Sequence, residues 1–237
     1  SYIPFIKKLA RNKSIEGVIF RINSGGGSGT ASEEVVQAIG KLRESKPVIV
    51  SMSEVAGSGG YWIATQCDKI FAGKTTITGS IGVLSMWVYL QNFLKKHGIT
   101  HSVLKKGDFA DIGSPYRKMT HHEWVKLDTM IEKLYLQFVD RVAAAREMTR
   151  EQVLEIAGGR IWTGEQAQEI GLVDEIGGLY DAIEYMRRKF ELKKAKIREQ
   201  TDRVDILEEQ IKHNTLDIIT KIKHGNYPNQ GQKYKFT

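Results

Sequence analysis

The sequence predicts an α/β fold whose parallel sheet is built from repeated β-α units. From residue 3 to residue 106, short runs rich in Val, Ile and Phe alternate with segments whose apolar residues recur at helical spacing. Parallel strands joined by right-handed crossover helices produce this alternation. Three turns that contain glycine follow strands in this part, and sites in such sheets form beyond the carboxyl ends of the strands. We therefore expect helices on both faces of the sheet and one cleft where the three turns meet.

Turn residues and helix caps mark where the predicted elements begin and end. In the first half of the chain, strands are expected at residues 15–22, 47–51, 69–72 and 100–105, and helices at residues 3–10, 31–43, 61–65 and 88–97. Thr120, followed three residues later by Glu123, has the pattern of a capping box before a long helix that ends near Glu147. Beyond it we expect helices capped by Thr149 and Thr163, a short strand within 171–178 and a helix over 179–189.

The chain changes character near residue 190. Residues 1–190 have the alternating pattern of one domain, whereas residues 191–237 begin with dense charge and end in a polar stretch that contains Pro228. Apolar residues at roughly heptad spacing predict a helix over 204–219, suited to an oligomer contact. We therefore expect a C-terminal helical extension followed by a loose tail, whose last residues, 234–237, are candidates for entering a neighbouring cleft as a pseudo-substrate.

Composition excludes several classes of protein. The net charge is +7, but the positive residues up to position 180 are mixed with acidic ones, so a nucleic-acid partner is not expected. The basic cluster at 187–196 has the character of a solvated helix face, with contact to anionic lipid head groups as the alternative. The single cysteine, Cys67, excludes an internal disulfide, and its apolar neighbours indicate a buried structural thiol.

The N-terminus of the sequence indicates a fragment or a mature form. It begins at Ser1 without an initiator Met, no signal peptide is visible, and no apolar run reaches the ~20 residues that span a bilayer. We expect that a membrane anchor precedes Ser1 in the longer protein.

Ser58 is the first candidate for chemistry. It lies between Gly57 and Gly59, after a strand and before an apolar helix, so the turn is expected to aim its hydroxyl away from the sheet. The backbone N–H groups that follow would be free at the positive end of a helix. A hydroxyl in this position can act as a nucleophile beside an oxyanion site, although a string of this length also occurs in plain flexible loops.

A second glycine-rich turn spans residues 23–30. It contains neither the Gly-Lys-Ser/Thr of a phosphate-binding loop nor the third glycine of a dinucleotide-binding turn, so no nucleotide cofactor is expected. Its free N–H groups would face whatever docks at the end of the preceding strand, and an oxyanion is one such group.

A serine nucleophile needs a base, and no histidine is placed to serve Ser58. None of the six lies in a glycine turn or at an obvious strand end beside Ser58, and together with the single cysteine they lack the spacing of a metal site. The six are His97, His101, His121, His122, His213 and His224. A lysine held neutral in an apolar pocket is the other group that activates serine.

Seven short motifs together resemble the signal peptide peptidase family, which is peptidase family S49. They are RINSGGGS at 21–28, TASE at 30–33, SMSEVAGSGGYWIA at 51–64, TGSIGV at 78–83, DIGSPYR at 111–117, GRIWTG at 159–164 and GLVD at 171–174. The resemblance covers residues 15–183 and implies a ClpP/crotonase-like fold. It also implies a membrane-associated serine protease with a Ser/Lys dyad, which needs no cofactor and no metal.

The resemblance assigns roles to individual residues. Ser58 matches the nucleophile, the N–H groups of Gly26 and Gly59 match the oxyanion hole, and Ser80 matches a hydroxyl that orients the catalytic lysine. The substrate-binding positions that it implies are Gly25, Gly27, Gly60 and Trp62.

Ala110 departs from the family pattern. In single-domain members the general-base lysine lies in the loop just before an Asp-Ile pair, and here Ala110 occupies that place. Three explanations are open: an engineered Lys→Ala change, a chain that is the C-terminal half of a long duplicated member, or a shifted register in which Lys105 or Lys106 serves. The last requires a shift of four or five residues. We expect little or no peptidase activity from this chain by itself.

The resemblance further implies remnant signal peptides as substrates, a homo-oligomer, and a location at the extracytoplasmic face of a prokaryotic membrane. Met86, Trp87, Val88 and Leu90, with Trp62, are candidates for an apolar groove or an oligomer contact. Two alternatives remain. A crotonase-like acyl-CoA enzyme would need no serine at position 58, and we expect no acidic residue in the cleft. A non-catalytic peptide-binding scaffold would account for Ala110.

Overall fold

The computed structural model describes residues 2–192, 195–199 and 215–224. In this part of the chain the helices are α1 (Ile3–Arg11), α2 (Gly29–Arg43), α3 (Gly59–Ala64), α4 (Gln91–Lys96), α5 (His121–Arg146), α6 (Arg150–Ile156), α7 (Gly164–Glu169) and α8 (Leu179–Lys189). The strands are β1 (Val18–Ser24), β2 (Val48–Gly57), β3 (Lys69–Ala72), β4 (Ile77–Gly79), β5 (Ile161–Thr163), β6 (Glu175–Ile176), β7 (Ala195–Glu199) and β8 (Thr215–His224). No helix among these residues is both long and apolar enough to cross a membrane.

Strand β2 organises the sheet, whose main path runs β5-β4-β2-β1-β8-β7. On one side β2 is parallel to β1. On the other side its first half is parallel to β3 and its last three residues are parallel to β4. The ten-residue length of β2 therefore carries the chain past β3 to a second partner. Because β1, β2 and β4 are mutually parallel, their carboxyl ends lie at the same edge of the sheet.

Side chains of the central strands alternate between two apolar layers. Phe20 and Val50 belong to the larger cluster, which includes buried residues of α1, α2, α3 and α5. Ile19 and Ile49 point to the opposite face, where α8 covers them through Ile183 and Met186. Successive side chains of a strand point to opposite faces, so strands buried on both sides contain nearly continuous apolar runs. The prediction of helices on both faces is confirmed.

Most of the predicted helices form with their predicted caps. Thr120 and Glu123 make the capping box that begins α5, and Thr149 and Thr163 cap α6 and α7. Each of these caps satisfies a backbone N–H that would otherwise lack a partner in the first turn. Helix α8 has the predicted bounds, and so does strand β3.

Two of the predicted elements are wrong in the described chain. Residues 100–105 do not form a strand: they are exposed, and no other strand lies beside them to complete the hydrogen bonds that a strand requires. The helix predicted over 88–97 is reduced to α4.

The C-terminal extension also differs from the prediction. A helix was expected over 204–219. The described residues of that range, 215–219, belong instead to strand β8, which pairs antiparallel with β1. Thr215, Ile218 and Ile219 are β-branched residues, which favour a strand when a sheet edge is available. Strand β7 pairs in turn with β8. The boundary at residue 190 stays a prediction, and the tail from 225 to 237 lies outside the described residues.

Candidate active site

The three glycine-bearing turns meet at the carboxyl edge of the sheet. Ser24 of β1 is aligned with Ala56 of β2, and Gly57 of β2 is aligned with Gly79 of β4. The turns that follow these residues therefore start side by side. The expectation of a single cleft at this edge is confirmed.

Ser58 occupies a strained position at the junction of β2 and α3. Its backbone φ of 50° and ψ of −120° lie in a region that residues with a Cβ rarely adopt. Two hydrogen bonds hold it there: its N–H donates to the carbonyl of Gly79 at 2.9 Å, and its carbonyl accepts from the N–H of Trp62 at 2.8 Å. Such conformations cost roughly 1–3 kcal/mol and persist where the surroundings enforce them, as at catalytic turns. Ser58 remains half-exposed.

The glycine turn after β1 approaches the serine turn within van der Waals contact. A Cβ at Gly26 would lie 2.6 Å from Cβ of Ser58 and 2.9 Å from the backbone N of Gly59, so only glycine fits. A Cβ at Gly59 would lie 2.6 Å from Oγ of Ser32. The amides of Gly26 and Gly59 are therefore brought together beside Ser58.

The two amides differ in their present partners. The N–H of Gly59 is in the first turn of α3 and has no acceptor in the described part of the chain, as expected for a helix N-terminus. The N–H of Gly26 donates to Oγ of Ser24 at 3.2 Å, a long and neutral hydrogen bond. An oxyanion is a stronger acceptor than a hydroxyl, so it can displace Ser24 from this amide.

Ser80 is held beside the serine turn by β4. It has a φ of 48°, and its N–H donates to the carbonyl of Arg160 at 2.7 Å. A Cβ at Gly57 would lie 3.4 Å from Cβ of Ser80, which gives ordinary contact between the two turns. The Trp162 ring packs directly on Gly79 and fixes the strand end from which Ser80 projects.

One cavity of about 1100 Å³ contains both serines. Its walls are the glycine turns, the segment after Ser80, the Gly158–Gly159 turn and one face of α5. The lining residues are Gly25, Gly27, Ser28, Gly29, Thr30, Ser58, Gly59, Trp62, Ser80, Gly82, Val83, Leu84, Asp128, Ile131, Glu132, Leu134, Tyr135, Phe138, Gly158 and Gly159.

The structure brings most of the predicted site residues to this cavity. Gly26 and Gly60 are not among the lining residues. Gly26 lies against Ser58, and Gly60 is buried, where an added Cβ would lie 2.7 Å from the carbonyl oxygen of Ser24. Met86, Trp87, Val88 and Leu90 are exposed and do not line the cavity. Trp62 does line it, at 6% exposure.

Ala110 is placed elsewhere. It is exposed in a turn after Gly107 and is not among the residues that line the cavity. The residues that follow are fixed by charge: Asp111 accepts from Arg117 and Lys105, and Arg117 also binds Glu123 of α5. These bonds hold the pKa of Asp111 well below its usual range and, with Arg117 as the main cause, lower the pKa of Glu123 to about 2.

No basic side chain lines the described cavity. Lys105 is bound to Asp111 at 2.8 Å, so it does not serve Ser58 in this arrangement. Four of the six histidines, His97, His101, His121 and His122, are exposed and lie outside the lining. Within the described residues, no three His, Cys, Asp or Glu side chains are grouped as a metal ion requires.

The wall formed by α5 was not predicted. The sequence shows that one face of α5 carries residues at helical spacing, namely Asp128, Ile131, Glu132, Tyr135 and Phe138. Which part of the protein this face packs against depends on the tertiary fold. Asp128 and Glu132 correct the expectation that no acidic residue lies in the cleft. That expectation considered only the turns, and a helix from a distant part of the sequence supplies the carboxylates.

The backbone is a ClpP-like fold. It superposes on a point mutant of ClpP1 from Listeria monocytogenes with a TM-score of 0.53 and 16% sequence identity, over 76% of this chain and 86% of that one. The fold and the strained Ser58 in a cleft define a class, that of α/β proteins with a ClpP-like sheet. The sequence model of peptidase family S49 matches residues 40–193, and this chain belongs to that family.

Curated relatives extend the similarity beyond the family model. A putative protease of Methanocaldococcus jannaschii is 38% identical over 187 residues, which are 79% of this chain and 60% of the relative. A putative signal peptide peptidase of Enterococcus faecium is 35% identical over 198 residues, 83% of this chain and 58% of the relative. Protease 4 of Haemophilus influenzae is 39% identical over 181 residues, 75% and 29% respectively. The chain spans less than two thirds of the length of these relatives.

Proposed function

We propose that this chain carries the nucleophile of a serine endopeptidase of the Ser/Lys dyad type. The observation that carries the proposal is Ser58, held at positive φ in a cleft of about 1100 Å³ beside the amides of Gly59 and Gly26. Enforced strain at a half-exposed serine next to converging N–H groups is the arrangement that acyl transfer uses.

The mechanism follows from this geometry. Oγ of Ser58 attacks the carbonyl carbon of a peptide bond while a base removes its proton. The N–H groups of Gly59 and Gly26 stabilise the negative oxygen that forms, and the Gly26 amide exchanges its bond with Ser24 for this stronger one. The proton passes to the leaving amine, and water then cleaves the acyl-enzyme by the same steps.

The base belongs at position 110, with the Ser80 hydroxyl orienting it. Ala110 cannot accept a proton, so the chain as written is expected to acylate slowly or not at all. An engineered Lys→Ala change accounts for this, and so does a lysine supplied by another half of a duplicated protein. Because Ala110 does not line the cavity, either case requires the 110 segment, or a second chain, to approach Ser58.

The proposed substrates are remnant signal peptides, which the printed name of the Enterococcus relative supports. Apolar lining residues such as Val83, Leu84 and Ile131 suit an extended apolar peptide. We place the protein at the extracytoplasmic face of a prokaryotic membrane and propose that it forms a homo-oligomer, to which the ClpP-like fold is suited. Membership of family S49 supports this function over an acyl-CoA enzyme.

The test is covalent labelling of Ser58 by a fluorophosphonate at neutral pH, followed by mass spectrometry. The parent chain should label slowly, Ala110→Lys should label much faster, and Ser58→Ala in the Ala110→Lys background should not label. Equal labelling with and without Ser58 would refute the nucleophile. No gain in labelling from Ala110→Lys would point to a lysine supplied by another half of the protein, and peptide binding that stays without labelling when such a half is added would favour the non-catalytic scaffold.

A further inference from the structure

A second cavity, of about 890 Å³, lies on the other side of Trp62 from the Ser58 cleft. Trp62, Gly29, Thr30 and Leu134 line both cavities. Ser58 lines only the first, and Glu33 and Arg141 line only the second. The Trp62 side chain is therefore part of the wall between the two spaces.

The Trp62 ring is held from both sides. On the cleft side it stacks on Phe138, with 4.4 Å between ring centroids and 27° between the planes. On the other side its Nε1–H donates to Oε2 of Glu33 at 3.0 Å. Oε1 of Glu33 accepts from Nη2 of Arg141 at 2.6 Å and from Gln37 at 3.3 Å. One carboxylate thus connects the indole of α3 to helices α2 and α5.

The same tryptophan is coupled to the nucleophile's turn. Its backbone N–H donates to the carbonyl of Ser58, one helical turn earlier, so the backbone that carries the ring has a fixed position relative to the serine. If Glu33 were removed, a buried indole N–H would lose its acceptor and Arg141 its ion-pair partner. Both losses favour a rearrangement of the ring. Movement of the ring would open the Ser58 cleft into the second cavity.

We infer that Glu33 and Arg141 are positioning residues that hold Trp62 as the partition of the cleft, and that they thereby limit the size of the substrate side chain next to the bond that is cut. The inference rests on the proposed function, because it takes Ser58 as the nucleophile that attacks the substrate. The substrate class is a peptide whose residue at that position is small enough to fit in front of the indole.

The chain provides a matched control for this idea. Glu34 neighbours Glu33 on the same helix and lines the same second cavity, but its carboxylate has no hydrogen bond or ion pair within the described residues. Glu33→Ala and Glu34→Ala remove the same charge from adjacent positions. Only the first removes the acceptor of the indole. Glu33→Gln retains an oxygen that can accept from the indole while removing the charge.

The first arm of the experiment needs no activity. The indole N–H signals of the four tryptophans are recorded by ¹⁵N NMR, and Trp62→Phe assigns that of Trp62. Glu33→Ala should shift this signal and speed its exchange with solvent, Glu34→Ala should leave it in place, and Glu33→Gln should restore most of its protection. An unchanged signal in Glu33→Ala, or an equal shift in Glu34→Ala, would overturn the positioning role.

The second arm measures selectivity in the Ala110→Lys background. Peptidyl phosphonates that differ only in the side chain next to phosphorus, alanine against naphthylalanine, label Ser58 in competition. Glu33→Ala should raise the rate for the large probe relative to the small one by about tenfold, and Glu34→Ala should leave the ratio as in the parent. An unchanged ratio, or an equal loss for both probes, overturns the inference. If neither probe labels any variant, position 110 does not supply the base in this chain and that part of the proposed function fails, and the NMR arm still decides the positioning role.

Discussion

Ser58 and Gly79 are joined by a 2.9 Å hydrogen bond from the N–H of the first to the carbonyl of the second. This bond continues the pairing of β2 with β4 by one residue and places Ser58 next to the residue that precedes Ser80. Both serines have positive φ, 50° and 48°. Two adjacent parallel strands thus end in the same unusual way, and both hydroxyl-bearing residues line one cavity.

Substitution of Gly26 should affect the serine turn far more than substitution of Gly25. A Cβ at position 26 overlaps Ser58, and the φ of 109° disfavours any side chain, whereas a Cβ at position 25 meets nothing within 4 Å. In the Ala110→Lys background, Gly26→Ala should slow labelling of Ser58 at least about a hundredfold, because an oxyanion donor is displaced. It should also lower the free energy of unfolding by roughly 1–3 kcal/mol, as overpacking does.

Gly25→Ala is the control for the stability measurement, with a free energy of unfolding expected near that of the parent. Labelling rates come from gel fluorescence, and unfolding is measured with urea. If Gly26→Ala labelled at the parent rate, the interlocked turns would have no part in acyl transfer.

Ser80→Ala should separate catalysis from folding. Alanine and serine tolerate the φ of 48° about equally poorly, and the N–H bond to Arg160 is retained, so the free energy of unfolding should change little. In the Ala110→Lys background the peptidase rate should fall by about a hundredfold, because a misplaced base reacts poorly. Steady-state kinetics on a fluorogenic peptide would show the loss in kcat with KM nearly constant. A loss confined to KM would instead assign Ser80 to substrate binding.

The glycine turns at the cleft were predicted more accurately than the elements around them, for physical reasons. Glycines around Ser58 and before Gly29 impose turns locally, and parallel strands place consecutive turns at one edge whatever the details of packing. The sequence could not show that the face of α5 with Asp128 and Glu132 lines the cleft, because helical spacing does not reveal which surface a helix face packs against. Strand β8 was missed because Leu216, Ile218 and Ile219 fit a helical stripe as well as a strand. The availability of the β1 edge, which decides between them, is a property of the whole sheet.

The motif around position 110 does not predict where this residue lies relative to Ser58. The residues around Ala110 identify its place in the family pattern, but the described chain holds that turn outside the cavity. Ion pairs from Asp111 to Arg117 and Lys105 hold the turn locally, whereas its distance from Ser58 is set by the tertiary fold, which the motif does not encode.

Gly164 and Gly29 each begin a helix, but substitution by alanine should change the free energy of unfolding in opposite directions at the two positions. A Cβ at Gly164 would overlap the carbonyl oxygen of Gly73, whereas one at Gly29 meets nothing within 4 Å. Gly164→Ala should therefore destabilise the fold by about 1–3 kcal/mol. Gly29→Ala should raise the free energy of unfolding by about 0.4–1 kcal/mol, because alanine reduces the entropy of the unfolded chain. Urea denaturation of the two variants against the parent decides this, and equal effects would contradict the close approach at Gly164.

The charges that fix the 110 segment should make stability depend on acid pH. The folded pKa of Glu123 is about 2, below its unfolded value of about 4.3, and that of Asp111 is lowered in the same direction. Groups with a depressed folded pKa contribute stability that is complete above the unfolded pKa and is lost as pH falls toward the folded one. The free energy of unfolding should therefore decline from pH 5 toward pH 2.

Arg117→Gln tests the source of this decline. It removes the donor shared by Asp111 and Glu123, so the variant should be less stable than the parent at pH 7, and the difference should shrink steadily as pH falls through the 4-to-2 window. Arg150→Gln is the control, because its pair with Asp140 is about half-exposed on both sides (48% and 46%) and its loss should change stability little at every pH. Urea unfolding followed by circular dichroism gives both differences. A gap for Arg117→Gln that stays constant from pH 7 to pH 3 would mean that these carboxylates titrate alike in the folded and unfolded chain.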